Sequence, residues 1–169
     1  MAAGNTYTPI ATNTLSSTAT SVTFSSISGA YTDLVLVCSI KPSDTTGPSV
    51  LLRFNGDTTT TYSCTVLYGN GTAASSSRRS ATDYFRIFDN GLSTVSTSVI
   101  TTTITSIMNY ANTTTYKTGI SRGNTSDKGT EACVSLWRST SAITSVEVLV
   151  AAGGFATGST FSLYGILAA

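Results

Sequence analysis

The stretch Leu34-Val35-Leu36-Val37-Cys38-Ser39-Ile40 is apolar on both alternating sets of positions. In an extended chain Leu34, Leu36, Cys38 and Ile40 fall on one face, with Val35 and Val37 on the other. Such a run reads as a central strand covered on both faces. Asp33, a poor strand residue, precedes it, so the strand is expected to start just after that position.

On either side of this run, apolar residues recur with period two or in short runs, and helical spacing is not sustained anywhere. Residues 20–27 place Val22 and Phe24 on one face, and residues 49–54 do the same with Val50, Leu52 and Phe54. Residues 62–68, 84–88, 98–110, 115–121, 131–138, 143–150 and 160–166 read as further strands. Ile100, Ile104, Met108 and Tyr110 share one parity within residues 98–110, and Tyr84, Arg86 and Phe88 alternate with Phe85 and Ile87. Turn chemistry separates the runs: Asn55-Gly56-Asp57, Asn70-Gly71, Asp89-Asn90-Gly91, Gly123-Asn124 and Gly153-Gly154. Roughly ten short strands with this punctuation predict an all-β, antiparallel, jelly-roll-like β-sandwich. It is expected to fill residues 1–169 as a single domain, with residues 1–7 a candidate N-terminal arm. Residues 69–79, small, polar and Ser-rich, read as a mobile loop.

Composition narrows the function. Only 10% of the 169 residues are charged, against a usual level of about 25%. Ser and Thr fill the polar positions, and Thr favours the pleated surface of a sheet. Net charge is +1, so there is no basic stripe for nucleic acid. Arg78-Arg79, the basic pair, reads as part of a solvated loop. No apolar stretch approaches the roughly 20 residues of a membrane-spanning helix. Residues 1–5 have neither the basic region nor the apolar segment of a signal peptide. The three cysteines, Cys38, Cys64 and Cys133, form no C-x-x-C motif. Cys38 and Cys133 lie in apolar runs and are expected as buried small hydrophobes, which suits folding in a reducing cytoplasm.

There is no histidine, which removes the Ser-His-Asp triad, the Cys-His dyad and His-ligated zinc. Paired carboxylates could still run glycoside hydrolysis. Each of the eight carboxylates, however, sits where a turn residue or a surface charge would. Asp57 reads as a turn former, and Asp44, Asp89 and Asp127 read the same way. A loop calcium site on Asp57 or Asp89 has no EF-hand-like spacing behind it. The expectation is therefore a protein without enzymatic activity, cofactor or metal. Asn70-Gly71-Thr72, Asn112-Thr113-Thr114 and Asn124-Thr125-Ser126 match the glycosylation pattern, as chance allows in so Thr-rich a chain.

Aromatic residues offer the more specific lead. Tyr62, Tyr68 and Tyr84 flank the Ser-rich segment, and Tyr suits protein interfaces and sugar stacking. With Tyr7, Arg78 and Arg79 they form the set of candidate interface or ligand residues; the alternative reading of most of the tyrosines is as edge-of-core residues. Trp137 reads as core or as a strand-end cover, with Arg138 placed to cover an aromatic face.

Several segments carry a resemblance when taken in order. They are Tyr7-Thr8-Pro9-Ile10-Ala11, Tyr31-Thr32-Asp33-Leu34-Val35-Leu36-Val37, Leu52-Arg53-Phe54-Asn55-Gly56-Asp57, Ile107-Met108-Asn109-Tyr110-Ala111-Asn112, Leu136-Trp137-Arg138-Ser139-Thr140 and Gly158-Ser159-Thr160-Phe161-Ser162-Leu163-Tyr164-Gly165-Ile166. As an ordered set spanning nearly the whole chain, the sequence resembles β-sandwich virion proteins of tailed bacteriophages, including phages of cyanobacteria. The resemblance implies a structural protein on an outer surface of the virion, made and folded in the host cytoplasm. Two roles follow as expectations. The first is a capsid decoration or cement protein, a homotrimer bound to the major capsid protein on the outside of the head. The second is a tail-fibre or receptor-binding module recognising host surface glycans. A glycan-cleaving enzyme on the same scaffold ranks third.

Overall fold

The computed structural model describes residues 6–45, 49–89, 96–127 and 129–167. These form twelve strands: β1 (Tyr7–Thr14), β2 (Ser21–Phe24), β3 (Asp33–Ile40), β4 (Val50–Phe54), β5 (Tyr62–Gly69), β6 (Ala74–Thr82), β7 (Phe85–Phe88), β8 (Thr101–Met108), β9 (Lys117–Thr125), β10 (Gly129–Trp137), β11 (Val146–Val150) and β12 (Thr160–Ile166). All pairings are antiparallel. One sheet has eight strands in the order β1-β12-β3-β8-β9-β10-β5-β6, and the other has four, β2-β11-β4-β7. The expected β-sandwich is present; this order does not establish jelly-roll connectivity. Among the described residues no helix is long and apolar enough to cross a membrane.

β3 lies inside the larger sheet, between β12 and β8. Leu34, Leu36, Cys38 and Ile40 are fully buried against the small sheet. The other face departs from the expectation of cover on both sides. Val35 is buried and Val37 half-buried, but among the described residues no further sheet lies over them. β3 also starts at Asp33 itself, whose carboxylate accepts the Asn109 N–H at 2.7 Å.

The two strands absent from the sequence reading, β1 and β6, are the two edges of the large sheet. Residues 69–79 are therefore not a mobile loop. They form the hairpin of β5 with β6, turned at Asn70, whose Oδ1 accepts the N–H groups of Thr72 and Ala73. Tyr7, placed at the end of a candidate arm, opens β1 and pairs with β12; residues 1–5 lie outside the described residues. The parity read in residues 98–110 is present, but its members as far as Met108 face outward, while Tyr110, beyond the end of β8, is buried in the core. Ile104 is half-buried, and Ile100 and Met108 are exposed. The buried set is Thr101, Thr103, Thr105 and Ile107. Cross-strand hydroxyl bonds, Thr101 to Thr125 and Thr105 to Ser121, satisfy two of those threonines.

Gly119 and Gly123 of β9 set the spacing between the sheets. A Cβ on Gly119 would lie 2.8 Å from the Phe85 ring, and one on Gly123 would lie 2.5 Å from the Phe88 ring. The absent side chains admit both rings of β7, which packs on β9 and β10.

At one end the turn Asn55-Gly56-Asp57, left-handed at its first two residues (φ 54° and 69°), carries the chain from the small sheet to the large one. Asn55 Oδ1 accepts the N–H groups of Thr144 and Ser145, and its amide donates to Ala142 O. Asp57 accepts from the Thr59 N–H and Oγ1, from Thr61 Oγ1, and from the Trp137 indole N–H at 2.7 Å. Trp137 is thus core, stacked on Tyr62 at 6.0 Å between centroids and packed on Phe54. Arg138 does not cover a ring; its guanidinium donates to Thr61 O and Ser63 Oγ.

Desolvation would raise the Asp57 carboxyl, but the bonds from Thr59, Trp137 and Thr61 together outweigh it and hold the group down to about 2. A carboxyl depressed on folding adds stability above its unfolded value, and that stability is lost as pH falls through the folded one. Asp57→Ala is expected to cost about 1–3 kcal/mol at neutral pH, because it orphans the buried indole donor. In urea titrations the gap between wild type and variant should close as pH drops from about 4 to about 2; a gap independent of pH would refute the assignment.

Candidate functional site

Two features could serve function. The first is the outer face of the eight-stranded sheet. Along β3, β8, β9, β10 and β5 the register sets up two apolar rows. One contains Val37, Ile104, Ala132 and Leu67, with Arg122 between Ile104 and Ala132. The other contains Val35, Ile120 and Val134, with Ser106 between Val35 and Ile120, and continues through Tyr164 of β12. Tyr7 leans edge-on against Tyr164 at 6.4 Å. Leu67, Ile120 and Val134 are 59%, 49% and 53% exposed. Among the outward side chains of the described strands in this sheet, the charged ones are Asp33, Arg78 and Arg122. Three shallow depressions of about 280, 370 and 470 Å³ surround Arg122. Isolated exposed apolar residues are ordinary; here they line up in two rows, each broken once, by Arg122 in the first and by Ser106 in the second, which makes this face a candidate interaction surface.

The second feature lies on the inner face. β7 is the edge of the small sheet, and β6 lies beyond it at the edge of the large one. A hollow of about 380 Å³ opens there, lined by Tyr68, Ser75, Ser77, Arg79, Asp89 and Glu131 among others. Tyr68 and Glu131 are direct cross-strand partners, as are Tyr68 and Ser75, so all three share this face. Behind the hollow is a charged network. Arg86 and Glu131 are each only 4% exposed. The Arg86 guanidinium donates to Asp89 Oδ1, to Ser49 Oγ at 3.0 Å and to the Tyr84 hydroxyl at 3.1 Å. It also lies 5.1 Å from the centre of the Tyr84 ring. Glu131 Oε1 accepts the Asp89 N–H, and Arg79 reaches Asp89 Oδ2 at 3.4 Å. Cys64, Val66 and Cys133 form a small apolar cluster of their own. Burial pushes both thiols up, that of Cys133 further through the neighbouring Glu131 carboxylate. Cys38, also buried, is raised to about 12.

Of the candidate residues from the sequence, the fold brings Tyr68 and Arg79 together at the hollow and puts Tyr7 and Arg78 on strands at opposite edges of the large sheet. Tyr62 is a correction: it is fully buried, and its hydroxyl accepts the Phe54 N–H and donates to Asp57 O, so it supports the core. Tyr84 is half-buried and serves Arg86. Arg78 and Arg79 are on strand β6 rather than in a loop, and alternation splits them. Arg79 faces the hollow, and Arg78 is on the outer face opposite Thr65. Tyr7 belongs to the outer face. Glu131 departs from the expectation that the carboxylates are turn formers or surface charges, and Asp89 is a network member. The signal for Arg86 was a lone charge inside the apolar run Phe85-Arg86-Ile87-Phe88. Among the described residues no group of three or more His, Cys, Asp or Glu side chains could hold a metal ion. The Asp57 and Asp89 carboxylates considered for calcium are engaged by protein donors.

No family model matches the sequence, and no curated protein matches it. Among solved structures there is a faint likeness to a crystal structure of Scytalido-glutamic peptidase with a peptide-based transition state analog. The identity is 11% and the TM-score 0.24, over 89% of this chain; the chain spans 65% of that chain's length. A likeness at this level carries no argument about fold or activity.

The charged network can be tested by contrast. Arg86→Met would leave Asp89 without its main counter-charge in a desolvated place and is expected to cost about 3 kcal/mol in denaturant unfolding. Arg53→Met, which breaks the more exposed Arg53–Asp83 pair, should cost under about 1 kcal/mol. Equal costs would show that the network is not structurally special.

Proposed function

We propose that this protein is a structural component of a phage particle, a capsid decoration protein that docks through the outer face of its eight-stranded sheet. The observation that carries the reading is the pair of apolar rows on that face, with Arg122 as the charge among them. Eight strands spaced about 4.8 Å apart and roughly 23 Å long present about 800–900 Å². That matches the roughly 800 Å² that one partner contributes to a stable interface of standard size. Arg is a frequent anchor at the centre of such interfaces, and here it asks the partner for a carboxylate or a free carbonyl. The sequence resemblance to tailed-phage virion proteins is compatible with head or tail; on the decoration reading the partner is the major capsid protein, with copies of this chain gathered as trimers. A ligand that binds only the assembled shell stabilises it by mass action.

The second reading is a tail-fibre or receptor-binding module, favoured by the solvent-open hollow beside β6.

Co-sedimentation of labelled protein with capsids lacking it, and in parallel with host cells, separates the two. Decoration predicts saturable binding to capsids at many copies per particle and none to cells. It further predicts that the double variant Ile120→Asp, Val134→Asp retains its fold but loses capsid binding by 100-fold or more, an expectation of roughly 3 kcal/mol. Binding to cells alone would reverse the ranking.

A further inference from the structure

We propose that the hollow beside β6 is a binding site for a neutral saccharide, whichever part of a particle carries the chain. At about 380 Å³ it sits in the lower part of the roughly 300–1,000 Å³ range of small-ligand sites. Its polar groups are graded by depth. Arg79 stands at the rim with its side chain 44% exposed, the Asp89 carboxylate forms the wall at 14%, and the buried Glu131 lies deepest. Tyr68, directly across the ladder from Glu131, offers a half-buried ring beside these groups. An aromatic face next to fixed donors and acceptors suits a pyranose, which presents C–H groups on its faces and hydroxyls at its rim.

Charge selects the class of ligand. Arg79 faces Asp89, and Arg86 sits behind Asp89, so two cations balance Asp89 and Glu131. An anionic ligand would meet the Glu131 carboxylate, and its claim on Arg79 would compete with Asp89. A cationic ligand would meet Arg79 at the entrance. A sugar hydroxyl avoids both conflicts, because it donates to a carboxylate and accepts from a guanidinium or a serine hydroxyl at once. Ser75 and Ser77, on the same face of β6 as Arg79, provide such hydroxyls. The carboxylate network also fixes its own geometry before any ligand arrives, since Arg86 and the Asp89 N–H hold Asp89 and Glu131 in place.

The test is a titration of the full ¹⁵N-labelled chain, followed by NMR, with glucose, galactose, mannose, N-acetylglucosamine, the anionic sugar sialic acid and the cationic sugar glucosamine. The expected result is saturable shifts with at least one neutral sugar, confined to Tyr68, the β6 residues 75–79 and Asp89, and weaker or absent with the charged sugars. Tyr68→Ala and Arg79→Ala should each weaken binding about tenfold, the loss of one well-placed contact, with the unfolding midpoint of each variant measured alongside. The wild-type panel decides even if a variant is unstable. No shifts with any neutral sugar would overturn the proposal, as would stronger binding of a charged sugar, shifts mapping to the Arg122 face, or unchanged affinity in folded Tyr68 and Arg79 variants.

Discussion

An eight-stranded sheet offers more inner face than a four-stranded sheet can cover, and the rest of this molecule adjusts to that mismatch. The small sheet is placed by aromatic contacts. Phe85 and Phe88 of β7 enter the gaps left by Gly119 and Gly123, while Phe54, Tyr62 and Trp137 close one end around the Asp57 clip. Beside β7, toward the edge strand β6, apolar side chains would have no layer to pack on. The inner-facing positions there are Ser75, Ser77 and Arg79 instead, with the Arg86–Asp89–Glu131 network marking the boundary between dry core and open hollow.

The opposite surface of the same sheet follows another logic. Its strands put valine, isoleucine and leucine outward where a solvated sheet face would carry polar residues. In β8 three threonines point inward, two of them pairing their hydroxyls across the ladder to β9, while Ile104 and Met108 point out. Thr101 and Thr105 tolerate burial because their hydroxyls bond to Thr125 and Ser121 on the neighbouring strand. The large sheet thus carries threonine inside and aliphatic residues outside along part of its width, the feature on which the docking proposal rests.

How much of this was legible in the sequence depended on how each feature is encoded. The interior strands announce themselves by period-two apolar runs, and the Asn-Gly turns by residues that accept left-handed backbone. β1 and β6 escaped because an edge strand of mostly exposed side chains needs no apolar alternation; it is held by its backbone ladder and by the neighbour it pairs with. Parity alone could not say which face of β8 is inside, since each set mixes hydroxyl residues with aliphatic ones. Tyr62 counts among the interface candidates because a tyrosine beside a polar segment suits either a binding surface or the edge of a core. Its hydroxyl finds two backbone partners that only the folded turn brings near. Arg78 and Arg79 looked like one basic pair, and the strand divides them between two faces.

The central claim is that the outer face of the large sheet is where the protein meets its partner in the particle. Hydroxyl-radical footprinting of the chain free in solution and bound in purified particles tests it side chain by side chain. The account predicts that Tyr7, Leu67, Ile120 and Val134 are oxidised in the free protein and protected in the particle, while Tyr68 and Tyr84 change little. Equal oxidation of the outer-face residues in both states, with protection falling instead on Tyr68 and Tyr84, would contradict it.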